Sequence, residues 1–209
     1  MKTCIAVAIL SYLIGSISFS VIFTKRFAGF DVREKGSQNA GSTNVLRTAG
    51  KGIAALTLIC DVAKGIVAVL LSMYIGDKVG YENIEILVQI SALCVVLGHT
   101  FPIFFQFKGG KGVATSLGLV LMINWKLGLI LLVYALVLMV LTRMVSLGSI
   151  AAAILLPILT IFITDTYTVP GNYFIFGVLL AAFVCYNHRK NIKRLMDGNE
   201  NRISFKKIG

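Results

Sequence analysis

Charge is what this sequence has least of. Only 14% of its 209 residues are Asp, Glu, Lys or Arg, and nine are acidic, against 57% hydrophobic residues. A soluble domain carries roughly a quarter charged residues, so this composition excludes a water-solvated globule and leaves lipid as the surrounding medium. Short segments of alternating hydrophobicity are missing, which excludes a closed membrane β-barrel. A chain in lipid must satisfy its own backbone, so the fold class that remains is all-α, a polytopic bundle of transmembrane helices. There is no Gly/Ser-rich or Pro-rich linker and no internal or inverted repeat, so residues 1–209 read as a single domain.

Metal-ligating residues are equally thin. Cys4, Cys60, Cys94 and Cys185 all fall inside apolar stretches, with no Cys-x-x-Cys or Cys/His spacing, and read as packing residues. No small-residue cleavage box precedes Cys4, and the apolar run there is too long for a signal segment, so it is expected to remain as the first helix. His99 has no second histidine at i+4 and reads as a hydrogen-bonded bundle residue. No metal site and no cofactor are expected. Nucleic acid is excluded as a partner despite a net charge of +11, because the basic residues lie in loops between apolar spans.

Seven apolar segments are present, at about 4–23, 53–75, 86–106, 113–124, 127–142, 145–164 and 172–187. The fourth, at about 12 residues, is too short to cross an average bilayer straight. Asn124, Trp125 and Lys126 form a polar, aromatic break of the interfacial kind, which separates it from the fifth. Seven crossings place sixteen lysines and arginines on one side and Lys2, Lys78 and Lys126 on the other. The positive-inside rule then puts the N-terminus outside and the C-terminus in the cytoplasm. Asp77, Glu82, Glu85 and Asp165 fall on the outer loops.

Three polar segments share the cytoplasmic side. The first, Gly36 to Arg47, contains Ser37, Asn39, Thr43 and Asn44 among small residues and leads into a helix. Hydroxyls, amides and glycine-flanked N–H groups make an anion cradle, although the same residue types also build ordinary capped turns. In the second, Lys108-Gly109-Gly110-Lys111-Gly112 opens the short fourth span ahead of Thr115 and Ser116. Its glycines admit an anion close to the backbone; the Walker pattern is not met, and a flexible basic turn is the alternative. The third follows the last span, where His188 and Asn191 are three apart and share a helix face. Histidine there suits acid–base work near neutral pH, while the surrounding basic residues also suit anionic lipid. Ser146, beside Arg143, joins the anion site or caps the sixth span. Asp61 and Lys64 sit at i, i+3 inside the second span and read as a structural ion pair, and His99 with Pro102 marks a helix distortion.

Many phosphate-type donors, one histidine and no carboxylate pair point to a reaction between phosphorylated substrates, run by positioning and electrostatic stabilisation. A transporter of a phosphorylated anion is the competing class, but its permeation path would need polar residues on both faces. The spaced motifs, from Gly15-Ser16 through the run ending at Arg47, Asp61 with Lys64-Gly65, Gly98-His99 to Pro102, Lys108 to Thr115, and His188-x-x-Asn191, resemble the acyl-phosphate:glycerol-3-phosphate acyltransferases, the PlsY family. The resemblance covers essentially the whole chain. It implies a seven-span bacterial inner-membrane enzyme facing the cytoplasm, and a monomer is expected. The implied reaction transfers a fatty acyl group from acyl phosphate to the sn-1 hydroxyl of glycerol 3-phosphate, giving lysophosphatidic acid and phosphate. By the same resemblance Ser37, Arg47, His188 and Asn191 match essential positions. Lys108, Gly109, Gly110, Lys111 and Gly112 match the glycerol-3-phosphate loop, Thr43 and Ser146 match phosphate contacts, and Asn39 and Asn44 belong to the first anion loop. The His-x-x-x-x-Asp box of other glycerolipid acyltransferases is absent: Phe104 and Lys193 stand where its aspartate would be. Two departures stand out, Ser18 where many members carry proline and Gln38 where many carry glycine.

Overall fold

The computed structural model describes residues 1–164 and 167–203. The positions assigned above to Asp165 and to Lys206 and Lys207 of the basic tail therefore lie outside the described residues. Among the described residues the regular elements are helical: α1 (Lys2–Gly15), α2 (Phe19–Ala28), α3 (Ser42–Thr48), α4 (Lys51–Lys78), α5 (Ile84–Thr100), α6 (Val113–Ile123), α7 (Trp125–Thr142), α8 (Val145–Phe162), α9 (Phe174–Asn187) and α10 (Arg189–Met196). Each of the seven apolar segments read from the sequence is helical. Five have the length and hydropathy to cross a membrane: Lys2–Ala28, Lys51–Lys78, Ile84–Phe105, Trp125–Thr142 and Val145–Phe162. Val113–Ile123 and Phe174–Asn187 are shorter. The polar break is real, since α6 stops at Ile123, Asn124 is extended, and α7 begins at Trp125.

The helices form two compact units, Met1–Trp125 with Tyr167–Gly171, and Lys126–Thr166 with Asn172–Gly209. In the first, α1 packs on α5, and α4 packs on α5 and α6. Lipid tails are as apolar as leucine, so helices in a membrane gain little from hiding apolar faces and depend on close backbone approach. The glycines provide it. A Cβ on Gly98 would run into the Tyr12 carbonyl, one on Gly15 into the Val95 carbonyl, one on Gly65 into the Thr115 carbonyl, and one on Gly118 into the Val62 carbonyl. In the second unit α8 packs on α9, with Gly177 against Pro157, while Gly148 lies against Ala135 of α7.

The first apolar segment differs from the single helix expected over 4–23. It breaks after Gly15 and restarts at Phe19, with Ser18 as the residue before α2. No proline is needed for the break. The carbonyls it releases are claimed by Lys64, whose Nζ donates to the oxygens of Gly15 at 3.1 Å and Ile17 at 2.9 Å. Lys64 Nζ also lies 2.9 Å from Asp61 Oδ1, so the expected ion pair exists, and both side chains are buried. The third segment is also shorter than 86–106: α5 ends at Thr100, Pro102 follows, and a single 3₁₀ turn covers Ile103–Phe105. Proline lacks an N–H and disfavours helix in the residue before it, which accounts for the stop.

Removing one partner of a buried pair strands the other charge, which costs about 3–5 kcal/mol. Lys64→Ala is therefore expected to lower the thermal midpoint in detergent sharply, and Asp61→Asn with Lys64→Met to recover only the part due to the stranded Asp61 charge, because the Gly15 and Ile17 carbonyls still lack their donor. A Lys64→Ala protein melting like the wild type would show that the pair carries no stability.

Candidate functional site

The first polar loop is held from inside. Gly29, at φ 74°, ends α2, and Asp31 then closes the turn: its Oδ1 accepts from Arg33 N at 3.0 Å and Nε at 2.9 Å, and its Oδ2 accepts from Nη2 at 2.7 Å. That bidentate clamp holds the Asp31 carboxyl well below the usual carboxylate range against the opposing effect of burial. Its stabilisation is full above the ordinary carboxylate pKa and disappears only as pH falls through the depressed value. Val32, Ala40 and Val45 sink into a small apolar cluster with Val21 and Ala54. Asn44 is buried: its Oδ1 accepts from Ser37 N at 2.9 Å, and its Nδ2 donates to the carbonyls of Val32 at 2.9 Å and Lys35 at 3.0 Å. Its amide is spent on shaping the loop, while Ser37 and Arg47 are exposed, and Asn39 and Thr43 half-buried. Gln38, at φ 58°, sits in the left-handed region that glycine adopts without strain, so the loop keeps the path a glycine there would give it.

The second loop docks on the first. Ala40 N donates to Gly109 O at 3.3 Å, and Arg33 Nη1 donates to Phe105 O at 2.7 Å. Behind it the end of α5 supplies acceptors, with Gly109 N on Thr100 O and Gly110 N on His99 O, each at 3.1 Å. Gly109 and Gly110 lie where any side chain would collide, Gly110 against the His99 ring and the Ala40 carbonyl. Gly112, at φ 85°, starts α6. Lys108 is exposed and Lys111 half-buried. His99 Nδ1 is 3.5 Å from Asp61 Oδ1, so the histidine that abuts Gly110 also borders the buried ion pair. Two loops distant in sequence thus form one polar surface on a buried charged footing, all within the first unit.

In the second unit α9 runs into α10 with a break at His188. His188 is buried, and its Nδ1 is 2.8 Å from the Val184 carbonyl. A carbonyl can only accept, so Nδ1 carries the hydrogen and the neutral ring keeps its lone pair on Nε2. Asn191 Nδ2 donates to Glu200 Oε1 at 2.8 Å, and Ser146 Oγ donates to the same oxygen at 3.0 Å. Arg194 Nε donates to Oε2 at 2.9 Å. Burial pushes the Glu200 carboxyl up, and the hydrogen bonds from Asn191, Arg194 and Ser146 bring it below its ordinary value. Ser146 does not cap α8, whose capping position is Met144. The sequence reading places Glu200 in the third polar segment without naming its partners, and it does not find the Asp31–Arg33 clamp. Glu200 stands with Asp197 in a mostly basic tail, shortly after Gly198. Among the described residues no cluster of three or more His, Cys, Asp or Glu could hold a metal ion.

Rigid glycine-rich polar loops on helices of membrane-spanning length define a polytopic membrane protein with a preformed polar site. The Glycerol-3-phosphate acyltransferase family matches residues 5–198. The chain is 44% identical over 203 residues to the glycerol-3-phosphate acyltransferase of Clostridioides difficile (strain 630), covering 97% of each sequence. It is 43% identical over 201 residues to that of Syntrophomonas wolfei, covering 96% of this chain and 97% of the relative. Its fold matches a crystal structure of PlsY (YgiH), an integral membrane glycerol 3-phosphate acyltransferase in its glycerol 3-phosphate form, with TM-score 0.83, 35% identity and 96% of each chain covered. The chain belongs to the glycerol-3-phosphate acyltransferase family.

Overpacking a tight site costs about 1–3 kcal/mol. Gly110→Ala is accordingly expected to loosen both loops, seen as faster amide exchange at Ala40 and Gly109. Gly52→Ala, at a helical site with open space around it, should be neutral or stabilising by up to about 1 kcal/mol. Equal effects of the two substitutions would contradict the close-approach role of Gly110.

Proposed function

We propose that this protein is an acyl-phosphate-dependent glycerol-3-phosphate 1-O-acyltransferase of the bacterial inner membrane. It takes a fatty acyl group from acyl phosphate and delivers it to the sn-1 hydroxyl of glycerol 3-phosphate, yielding lysophosphatidic acid and inorganic phosphate. Residues 1–209 act as one catalytic domain and a monomer, crossing the membrane seven times with the C-terminus and the polar loops in the cytoplasm. The observation that carries the reading is the hydrogen-bonded junction of the Gly36–Arg47 and Lys108–Gly112 loops at Ala40 and Gly109. It fixes the two loop backbones against each other and leaves hydroxyl, amide and cationic side chains at their edge, which suits substrates that each bear a phosphate. Full-length family membership favours the acyltransferase over the anion transporter.

In this mechanism Lys108 and Lys111, with Thr43 and Asn39, hold the glycerol 3-phosphate, on a loop whose Gly109 and Gly110 N–H groups are engaged by the Thr100 and His99 carbonyls. Ser37 and Arg47 serve the acyl phosphate, Arg47 by countering the charge that builds on the leaving phosphate. The substrate hydroxyl oxygen attacks the acyl carbonyl carbon directly. The new ester C–O bond forms, the acyl carbon–phosphate oxygen bond breaks, and the phosphate leaves with that electron pair. The hydroxyl proton passes to His188 Nε2 or to an oxygen of a substrate phosphate, His188 in the second case orienting the hydroxyl. The Nδ1 hydrogen bond to Val184 suits either role, because it fixes the ring and directs the basic nitrogen away from the backbone.

Purified protein in lipid, given acyl phosphate and glycerol 3-phosphate, should release phosphate and lysophosphatidic acid in equal amounts. Ser37→Ala, Arg47→Ala and His188→Ala should each reduce turnover by about a hundredfold or more. No turnover by well-folded wild-type protein overturns the reading, and an acyl group trapped on Ser37 after a single turnover overturns direct attack.

A further inference from the structure

The imidazole of His99 lies beneath the second polar loop. α5 ends at Thr100, and the chain returns so that Gly109 N donates to Thr100 O and Gly110 N to His99 O, each at 3.1 Å. From the other side the first loop reaches Gly109 O, through Ala40 N at 3.3 Å and Asn39 Nδ2 at 3.5 Å. Gly110 is thereby enclosed: a Cβ there would strike His99 Nε2 and come within 2.9 Å of the Ala40 carbonyl. The two ring nitrogens face different neighbours. Nε2 lies against the Gly110 backbone, and Nδ1 is 3.5 Å from Asp61 Oδ1.

That placement makes the ring a spacer. Its side chain is 5% exposed, and Asp61 on its far side is held by Lys64 Nζ at 2.9 Å, so the imidazole stands between a fixed ion pair and the loop. A carboxylate only accepts, so the nitrogen facing Asp61 carries the hydrogen and Nε2 presents its lone pair to Gly110. The bonds from Gly109 and Gly110 to α5 use main-chain atoms and persist whatever side chain stands at position 99. They tether the loop, while the ring sets how closely Gly110 approaches the helix end. The exposed Lys108 lies two residues before Gly110 and moves with that backbone. A misplacement of about 1 Å in a substrate-binding group is enough to cost roughly a hundredfold.

We infer that the His99 imidazole is a positioning residue for glycerol 3-phosphate binding: braced against Asp61, it sets the place of the Gly109–Gly110 backbone and so of Lys108. The inference rests on the functional reading above, in which this loop takes glycerol 3-phosphate. His99 acts through the loop, with no contact of its own to substrate.

The test reads kcat and KM for glycerol 3-phosphate on the full-length enzyme in lipid, with acyl phosphate saturating. His99→Ala is expected to raise KM by roughly ten- to a hundredfold while kcat changes by less than about threefold. A merely structural role would remove active molecules, lowering the apparent kcat at unchanged KM; that outcome, or wild-type constants for His99→Ala, overturns the inference. Two further variants divide the ring, since the terminal amide of glutamine reaches the place of Nε2 and that of asparagine only the place of Nδ1. His99→Gln should keep KM within about threefold of the wild type and His99→Asn should raise it roughly tenfold or more. The reverse order, or equal values, overturns the inference even where His99→Ala does not fold. Gly110→Ala gives the complementary cut: its Cβ strikes the ring, so in a His99→Ala background it should raise KM by a smaller factor than in the wild type. An equal factor in both backgrounds overturns the inference. Amide exchange at Gly109 and Gly110 is a readout free of turnover; His99→Ala should speed it about tenfold or more, and unchanged exchange also overturns the inference. A wild-type protein without turnover, whose loop nonetheless loosens in His99→Ala, would defeat the functional reading alone.

Discussion

A break in the first membrane helix has to be neutralised, and the first unit depends on how that is done. Carbonyls released at Gly15 and Ile17 find no water at that depth, and the Lys64 ammonium supplies their donors. An ammonium there needs a counter-charge, which Asp61 provides one helical turn away. Asp61 in turn faces His99, and the backbone carbonyl of His99 anchors Gly110 of the second polar loop. A bend in one helix is thus connected, contact by contact, to the shape of a loop on the surface of the same unit. Charges inside lipid are expensive and rarely ornamental.

Glycine does two kinds of work around this chain of contacts. At Gly15, Gly65, Gly98 and Gly118 it lets helix backbones touch, which replaces the apolar driving force that lipid cancels. At Gly109 and Gly110 it removes side chains so that one loop can lie on the end of α5 and be gripped by the other. The polar surface is consequently preformed. Asp31 with Arg33 and Asn44 spend their hydrogen bonds on the loop, and Ser37 and Arg47 are left exposed above it.

Much of this was legible in the residues. The hydrophobic runs marked every apolar helix, Asn124-Trp125-Lys126 marked the division between α6 and α7, and the i, i+3 spacing of Asp61 and Lys64 marked their pairing. The break after Gly15 was not, because an apolar run looks the same whether straight or interrupted, and the residues that satisfy the break come from another helix. The loop-holding bonds of Asn44 were not legible, because asparagine within a polar loop serves the backbone and a ligand with the same atoms. The contacts of Glu200 were unreadable for a topological reason: its partners Ser146 and Asn191 lie on different helices, and only the turn at Gly198 brings it back to them.

The return of the tail separates being inserted from being finished. Every apolar helix lies upstream of Met196, so a chain clipped there keeps everything that lipid recognises. It nevertheless loses the acceptor shared by Ser146 and Asn191 and the Ile203 bond to the α7–α8 turn. Membrane integration thus gives no sign of whether such a chain is whole. Quality control that reads only hydrophobicity would accept the shortened protein.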